Sequence, residues 1–264
     1  MALIYDVGMN NGDDTAFYLH QGHSVIAIEA IHELAEAARI RFCNELHGGR
    51  LSILNLAVAE QSGECDFWVC DDLTTWSSLD ETLAARDGKK HHKIRVKTSR
   101  FRDILLQFGS PSYLKIDVEA ADRVCLADLD EHNLPAFVSV ETECGGAETP
   151  LTERNYLATI NLLRERGFNQ FKLVSQHTLT PVSRSNLDHV LDPQYRQTVR
   201  EEIERDNKWR FPEDSSGPWG NGIPGPWMEF TEALDVYCTC RELFLQNWNM
   251  PWYLFWFDWH ATRF

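Results

Sequence analysis

No stretch of this sequence approaches the roughly 20 consecutive apolar residues of a helical membrane span. The apolar stretch Trp252 to Phe257 is far too short and reads as a strand or loop packed on a core. Met1 leads into a strand-like run with no basic segment before it, so the expectation is a cytoplasmic protein with no signal peptide and no membrane partner. Seven cysteines form no Cys-x-x-Cys pair, and Cys238-Thr239-Cys240 is too tight for a zinc knuckle. Reduced thiols, buried or half-buried, are expected. Basic residues are scarce: 25 Lys and Arg against 40 Asp and Glu give a net charge of −15. That balance excludes a non-specific nucleic-acid binder, which needs a basic face. No internal repeat is present.

What remains is a chain of 264 residues, 43% hydrophobic, long enough for one large domain or a domain with an added lobe. Its first half alternates strand and helix signals, which predicts an α/β fold with a mostly parallel sheet and helices on both faces. Strands are expected at Leu3–Val7, Ser24–Glu29, Leu51–Val58, Tyr113–Val118 and Ala136–Glu141. Helices are expected at Asp13–Gln21, His32–Cys43, Arg100–Phe108, Asp122–Asp130 and Thr152–Arg166. Cys65–Cys70 and Lys93–Thr98 alternate as strands do, and the long polar stretch Asp71–His92 between them reads as a functional or mobile loop. Phe171–Ser175 is a further strand. After Pro181 the character changes to charged helices at Tyr195–Trp209 and Glu232–Asn247, flanking the turn-rich SSGPWGNGIPGPW. The expected division is a nucleoside-binding domain over 1–182 and a C-terminal extension over 183–264 that shapes the acceptor site.

Ligands of open parallel sheets sit beyond the carboxyl ends of the strands. Strand one ends in Asp6-Val7-Gly8-Met9-Asn10-Asn11-Gly12, strand two in Glu29, strand three near Ala57-Val58, strand four in Asp117-Val118-Glu119 and strand five in Glu141. Glu29 stands about twenty residues after Gly8, the spacing at which an acidic side chain takes both ribose hydroxyls. Gly8 and Gly12 let the backbone approach a ligand. The middle glycine of a dinucleotide turn is missing, and Asp13 and Asp14 at the helix start would repel a pyrophosphate. An NAD-dependent oxidoreductase is further disfavoured because Tyr113-Leu114-Lys115 lacks the Tyr-x-x-x-Lys spacing. A nucleoside cofactor with a cationic amino-acid end suits the turn better, and S-adenosylmethionine fits.

DVGMNNGDDT, IAIEA, LAVAEQSGECDFWV, Ser77-Ser78-Leu79, LKIDVEAAD and FVSVE resemble the FkbM-type methyltransferases in order and spacing, over roughly residues 3 to 145. Ala120 departs from the family's common glycine. The resemblance implies a Rossmann-like (class I methyltransferase) fold and methyl transfer from S-adenosylmethionine, most often to oxygen. It implies that Asp6, Gly8, Asn10 and Gly12 frame the methionine moiety. Glu29 would hold the ribose, Ala57 and Val58 would border the adenine, and Asp117 would face the methionine end and the acceptor.

Hydroxyls are poor nucleophiles at neutral pH, so a base or a metal is expected. The candidates for base are Asp117, Glu119, Glu141 and Glu143, with Asp117 or Glu119 preferred and Lys115 as an orienting charge. The alternative for Lys115 with Glu119 is an ion pair fixing the sheet end. A magnesium ion between Asp117 and Glu141 is an option that is not favoured, since no third ligand is predicted. His91 and His92, in the polar loop, are read as solvent-facing. Ser77 and Ser78 match the family's loop beside the site, with a helix N-cap as the alternative. Glu141 is placed toward the acceptor. Trp219, set among glycines and prolines, is expected to cover the acceptor, a role that normal turnover in Trp219→Ala would exclude; Trp256 and Trp259 are expected in the core. The expected activity is O-methylation of a sugar or secondary-metabolite hydroxyl, with a small molecule as partner. The alternatives are a peptide carboxylate or amide acceptor, or a non-catalytic nucleoside-binding module of the same fold.

Overall fold

The computed structural model describes residues 1–119, 121–143, 156–189, 191–213, 215–247 and 255–264. They divide into two compact units, Met1–Pro135 and Ala136–Phe264. The fold is α/β.

The first unit runs β1 (Leu3–Val7), α1 (Asp13–His20), β2 (Ser24–Glu29), α2 (His32–Arg41), α3 (Cys43–His47), β3 (Leu51–Asn55), β4 (Ala57–Val58), β5 (Gly63–Cys70), α4 (Glu81–Ala84), β6 (His91–Ser99), α5 (Phe101–Phe108), β7 (Tyr113–Ile116) and α6 (Asp122–Ala127). Its main sheet is parallel, in the order β7-β1-β2-β3. Ile4, Tyr5, Val7, Val25, Ala27, Ile28, Tyr113, Leu114 and Ile116 are all buried. Burial on both faces is why these strands read as near-continuous apolar runs. A second sheet, β4-β6-β5, pairs β4 parallel and β5 antiparallel to β6. Its inner face joins Phe67, Val69 and Val96 to Ile31 and Ala57 in one apolar cluster.

Several expected boundaries move. The helix expected over His32–Cys43 breaks at Phe42 (φ −110°, ψ 30°), a residue buried beneath the β1–α1 turn. The strand expected over Leu51–Val58 splits at Leu56, whose N–H turns to the carbonyls of Glu29 and Leu54, so that β4 joins the second sheet. β7 stops at Ile116, two residues short of the expectation. His91 and His92 belong to β6, not to a loop.

The second unit runs β8 (Phe137–Glu141), α7 (Ala158–Arg166), β9 (Gln170–Ser175), β10 (Pro181–Val182), α8 (Pro193–Asn207), β11 (Met228–Glu229), α9 (Phe230–Gln246) and β12 (Phe257–Thr262). β12 lies between β8 and β9 and is antiparallel to both; β10 and β11 pair antiparallel with β9. All six residues of β12 are buried, Trp259 completely, while Trp256 is half-buried. The terminal strand therefore lies on FDWHAT. Trp248, Trp252 and the start of the helix expected over Thr152–Arg166 lie outside the described residues. α8 begins as its sequence dictates: Asp192 accepts from the N–H groups of Gln194 and Tyr195, and Pro193 occupies the first turn.

Candidate functional site

A cleft of about 630 Å³, open to solvent, lies at the carboxyl ends of β1, β2 and β7 in the first unit. Ile31, Ala57, Val58, Phe67 and Leu79 give it apolar lining, and Asn10, Glu29, Asp117 and Glu119 give it polar lining. Among the described residues, none that lines it is Lys, Arg or His.

Glu29 is buried and held from both oxygens: Oε2 accepts from the N–H of Asn10 and Oε1 from that of Ile31, both at 2.8 Å. Burial pushes its pKa up to about 7 against the pull of those two donors and of Lys115. Each oxygen keeps a lone pair for a ligand hydroxyl.

The glycines of the β1–α1 turn serve packing. Gly8 has φ +84°, and a Cβ there would overlap the backbone carbonyl of Asp117. Gly12, at φ +81°, has the Phe42 ring 2.8 Å from where its Cβ would be. The N–H groups of Gly8 and Met9 both go to Ile28 O, and that of Gly12 goes to Met9 O. The amides of Gly8 and Gly12 are thus used within the turn, while Gly8 still lines the cleft. Asn10, at φ +48°, accepts at Oδ1 from Thr74 Oγ1 (3.1 Å).

Behind the turn lies a buried charge network. Asp6 and Lys115 are register partners on adjacent strands. Lys115 Nζ donates to Gly8 O (2.7 Å) and lies 3.2 Å from Asp6 Oδ1, 3.7 Å from Asp117 Oδ2 and 3.9 Å from Asp14 Oδ2. Burial alone would lower the lysine pKa, but Asp6, Asp117 and Asp14 outweigh it and raise it above the ordinary value. Thr15 Oγ1 donates to Asp6 Oδ2 (2.6 Å). Lys115 is thus a fixed cation, bonded to the turn and not to Glu119. The Lys115–Glu119 pair considered from strand alternation does not form, because β7 ends before Glu119, which sits at φ +42°. Asp14 points into the network and Asp13 pairs with Arg41 (2.9 Å). Both charges are compensated locally, so they weigh less against a pyrophosphate than the sequence alone suggests.

Glu119 is taken instead by Arg86, in a two-pronged pair of 2.9 and 2.6 Å. Burial and Asp117 raise its pKa, while Arg86 opposes them. Asp122 accepts from Val118 N–H (3.1 Å), and its pKa is pushed up to about 7 by burial, with Asp117 and Glu119 adding to the effect.

Of the residues singled out in the sequence, Gly8, Asn10, Glu29, Ala57, Val58, Ser77, Asp117 and Glu119 line the cleft. Asp6, Gly12, Lys115 and Ser78 stand behind it. Ser78 pairs with Trp68 through two backbone bonds and donates to Glu119 O, and Ser77 Oγ accepts from Cys70 N–H. Glu141 and Trp219 belong to the second unit. Glu141 is paired with Asp258 across β8 and β12, and Trp219 packs against Phe137 (5.3 Å between ring centres). Sequence reasoning missed Phe67, Ile31 and Thr74 in the cleft wall, and Arg86, while Leu79 belongs to the Ser77-Ser78-Leu79 stretch it singled out. Alternation along CDFWVC does put Phe67 and Val69 on one face, but nothing local says which element that face meets.

Among the described residues, no group of three or more His, Cys, Asp and Glu is placed to hold a metal ion, and no helix is long and apolar enough to cross a membrane.

A family model described as the methyltransferase FkbM domain matches residues 6–169, more than half of the chain. No curated protein matches. Among solved structures, the methyltransferase domain of bacterial CtHen1 aligns with a TM-score of 0.37 at 11% identity, covering 66% of this chain and 81% of that one. A Burkholderia thailandensis 1,6-didemethyltoxoflavin-N1-methyltransferase, with 1,6-didemethyltoxoflavin and S-adenosylhomocysteine bound, gives 0.32 at 18%, covering 64% and 61%. StiE O-MT residues 942–1257 give 0.42 at 10%, covering 98% and 67%. These TM-scores are too low to support an inference.

Proposed function

The chain belongs to the methyltransferase FkbM domain family, and from that premise we propose that it moves a methyl group from S-adenosylmethionine to a hydroxyl of a sugar or secondary metabolite. The observation that carries this reading is a cleft with apolar lining, an oriented carboxylate at Glu29, a carboxylate at Asp117 and, among the described lining residues, no Lys, Arg or His. Such a lining suits a nucleoside bearing a cation better than one bearing a pyrophosphate.

S-adenosylmethionine, when bound, supplies an electrophilic methyl group on a cationic sulfonium. The residues that would hold it are Glu29 for the ribose hydroxyls, Ala57, Val58, Ile31 and Phe67 for the base, and Asn10 and Asp117 for the amino-acid end. Asp6 and Lys115 act through the turn, fixing the Gly8 carbonyl and the Asp117 carboxylate. Asp117 is half-buried, lines the cleft and has its N–H anchored on Val7 O (2.9 Å). It is the carboxylate best placed to accept the proton of a hydroxyl acceptor. The acidic lining favours a neutral or cationic acceptor over an anionic one.

Transfer of labelled methyl to a panel of hydroxyl-bearing sugars and secondary metabolites tests this. Asp117→Asn should lower kcat on a hydroxyl acceptor by about 10²–10⁴-fold, the usual worth of a positioned base. Transfer only to carboxylates or amides would replace the acceptor class. Failure to bind S-adenosylmethionine would leave a non-catalytic module.

A further inference from the structure

The polar stretch after β5 is a folded excursion, pinched at its neck by the Asp71 N–H bond to Lys90 O (2.8 Å). Asp80 accepts from Thr82 N–H and caps α4, and Asp87 and Gly88, at φ +56° and +68°, turn the chain back into β6. The excursion supplies Thr74, Thr75, Ser77 and Leu79 to one wall of the cleft. It touches the opposite wall at three points: Thr74 on Asn10, Ser78 on the Glu119 carbonyl, and Arg86 on the Glu119 carboxylate. Arg86 and Glu119 side chains are only 13% and 16% exposed, and the guanidinium lies 4.1 Å from the ring centre of Trp76, within the same excursion.

We propose that Arg86 is a positioning residue, a clamp that closes this wall on the cleft and neutralises Glu119, leaving Asp117 as the carboxylate that acts on the acceptor. The proposal rests on the methyltransferase reading for its ligand and on the excursion's own contacts for its geometry. A planar guanidinium matches a carboxylate in two parallel bonds, which an ammonium cannot do. With Arg86 removed, Glu119 would be a half-desolvated, unpaired anion beside the cleft. With Glu119 neutralised, the same place would carry one more positive charge.

These opposite charge changes give a signature that loss of packing does not. Affinities for S-adenosylmethionine, a sulfonium cation, and S-adenosylhomocysteine, its neutral product, are measured by calorimetry at alkaline pH, where Glu119 stays ionised. Arg86→Gln should raise the preference for the cation about threefold, Glu119→Gln should lower it about threefold, and the double variant should return to the wild-type ratio. Hydrogen exchange over residues 71–90 should quicken at least tenfold in Arg86→Gln without ligand. Arg86→Lys, which keeps the charge and loses the fork, should hold the wild-type ratio with intermediate exchange, and it carries the test if Arg86→Gln does not fold. Ratios that do not move, or that move in the same direction in both single variants, overturn the clamp. If neither ligand binds wild type, the methyltransferase reading fails, and exchange in the free protein then decides the clamp: unchanged exchange over 71–90 overturns it.

Discussion

Glu29 joins folding to ligand binding in one side chain. Its carboxylate closes the β1–α1 turn through Asn10 and starts the run toward α2 through Ile31. Its pKa, raised to about 7 from 4.5, means the folded state takes up its proton more readily than the unfolded chain. The stability this contributes is complete below about 4.5 and is lost as pH rises through 7. Ligand binding runs the other way, since ribose hydroxyls need the ionised acceptor. S-adenosylmethionine affinity should therefore fall as pH drops below 7. Asp122 titrates in the same range but does not line the cleft. Glu29→Gln should weaken binding by about 10–100-fold, the worth of hydrogen bonds to a charged group, and calorimetry across pH should find the acid-side loss gone. Gly8→Ala tests the packing role of the turn. A Cβ there meets the Asp117 carbonyl at a φ that L-residues avoid. It should cost at least about 1–3 kcal/mol of unfolding free energy in urea.

At the scale of elements, the site depends on a cation held where β1, β7 and α1 meet. Lys115→Met should cost about 3–5 kcal/mol in urea denaturation, because Asp6 is left charged and buried. Adding Asp6→Asn to that variant should recover part of the loss. β1 and β2 could be read directly from LIYDV and SVIAIE, since strands buried on both faces have no polar alternation to obscure them. Glu29 was visible through its spacing from Gly8. The Lys115 partner was not: strand alternation suggested Glu119, whereas the partner is set by the register of β1 against β7, a long-range fact. For the same reason the sequence hides the departure of β4 to the second sheet, the place of Phe67 in the cleft and the reach of Arg86 to Glu119. Each depends on residues tens of positions apart in the chain. β12 is hidden because FDWHAT carries an Asp and a His in a fully buried strand, against the usual pattern of burial.

For the whole molecule, a net charge of −15 stands beside a cleft lined by Glu29, Asp117 and Glu119 and, among the described residues, by no Lys, Arg or His. The proposed function rests on the family and on that lining, and it expects a cationic nucleoside to bind in preference to a phosphate-bearing one. The most direct test is calorimetry of the intact chain against S-adenosylmethionine, S-adenosylhomocysteine and NAD. Saturable one-to-one binding of the first two, abolished or strongly weakened by Glu29→Gln, with none for NAD, is the predicted result. Binding of NAD alone would contradict the account.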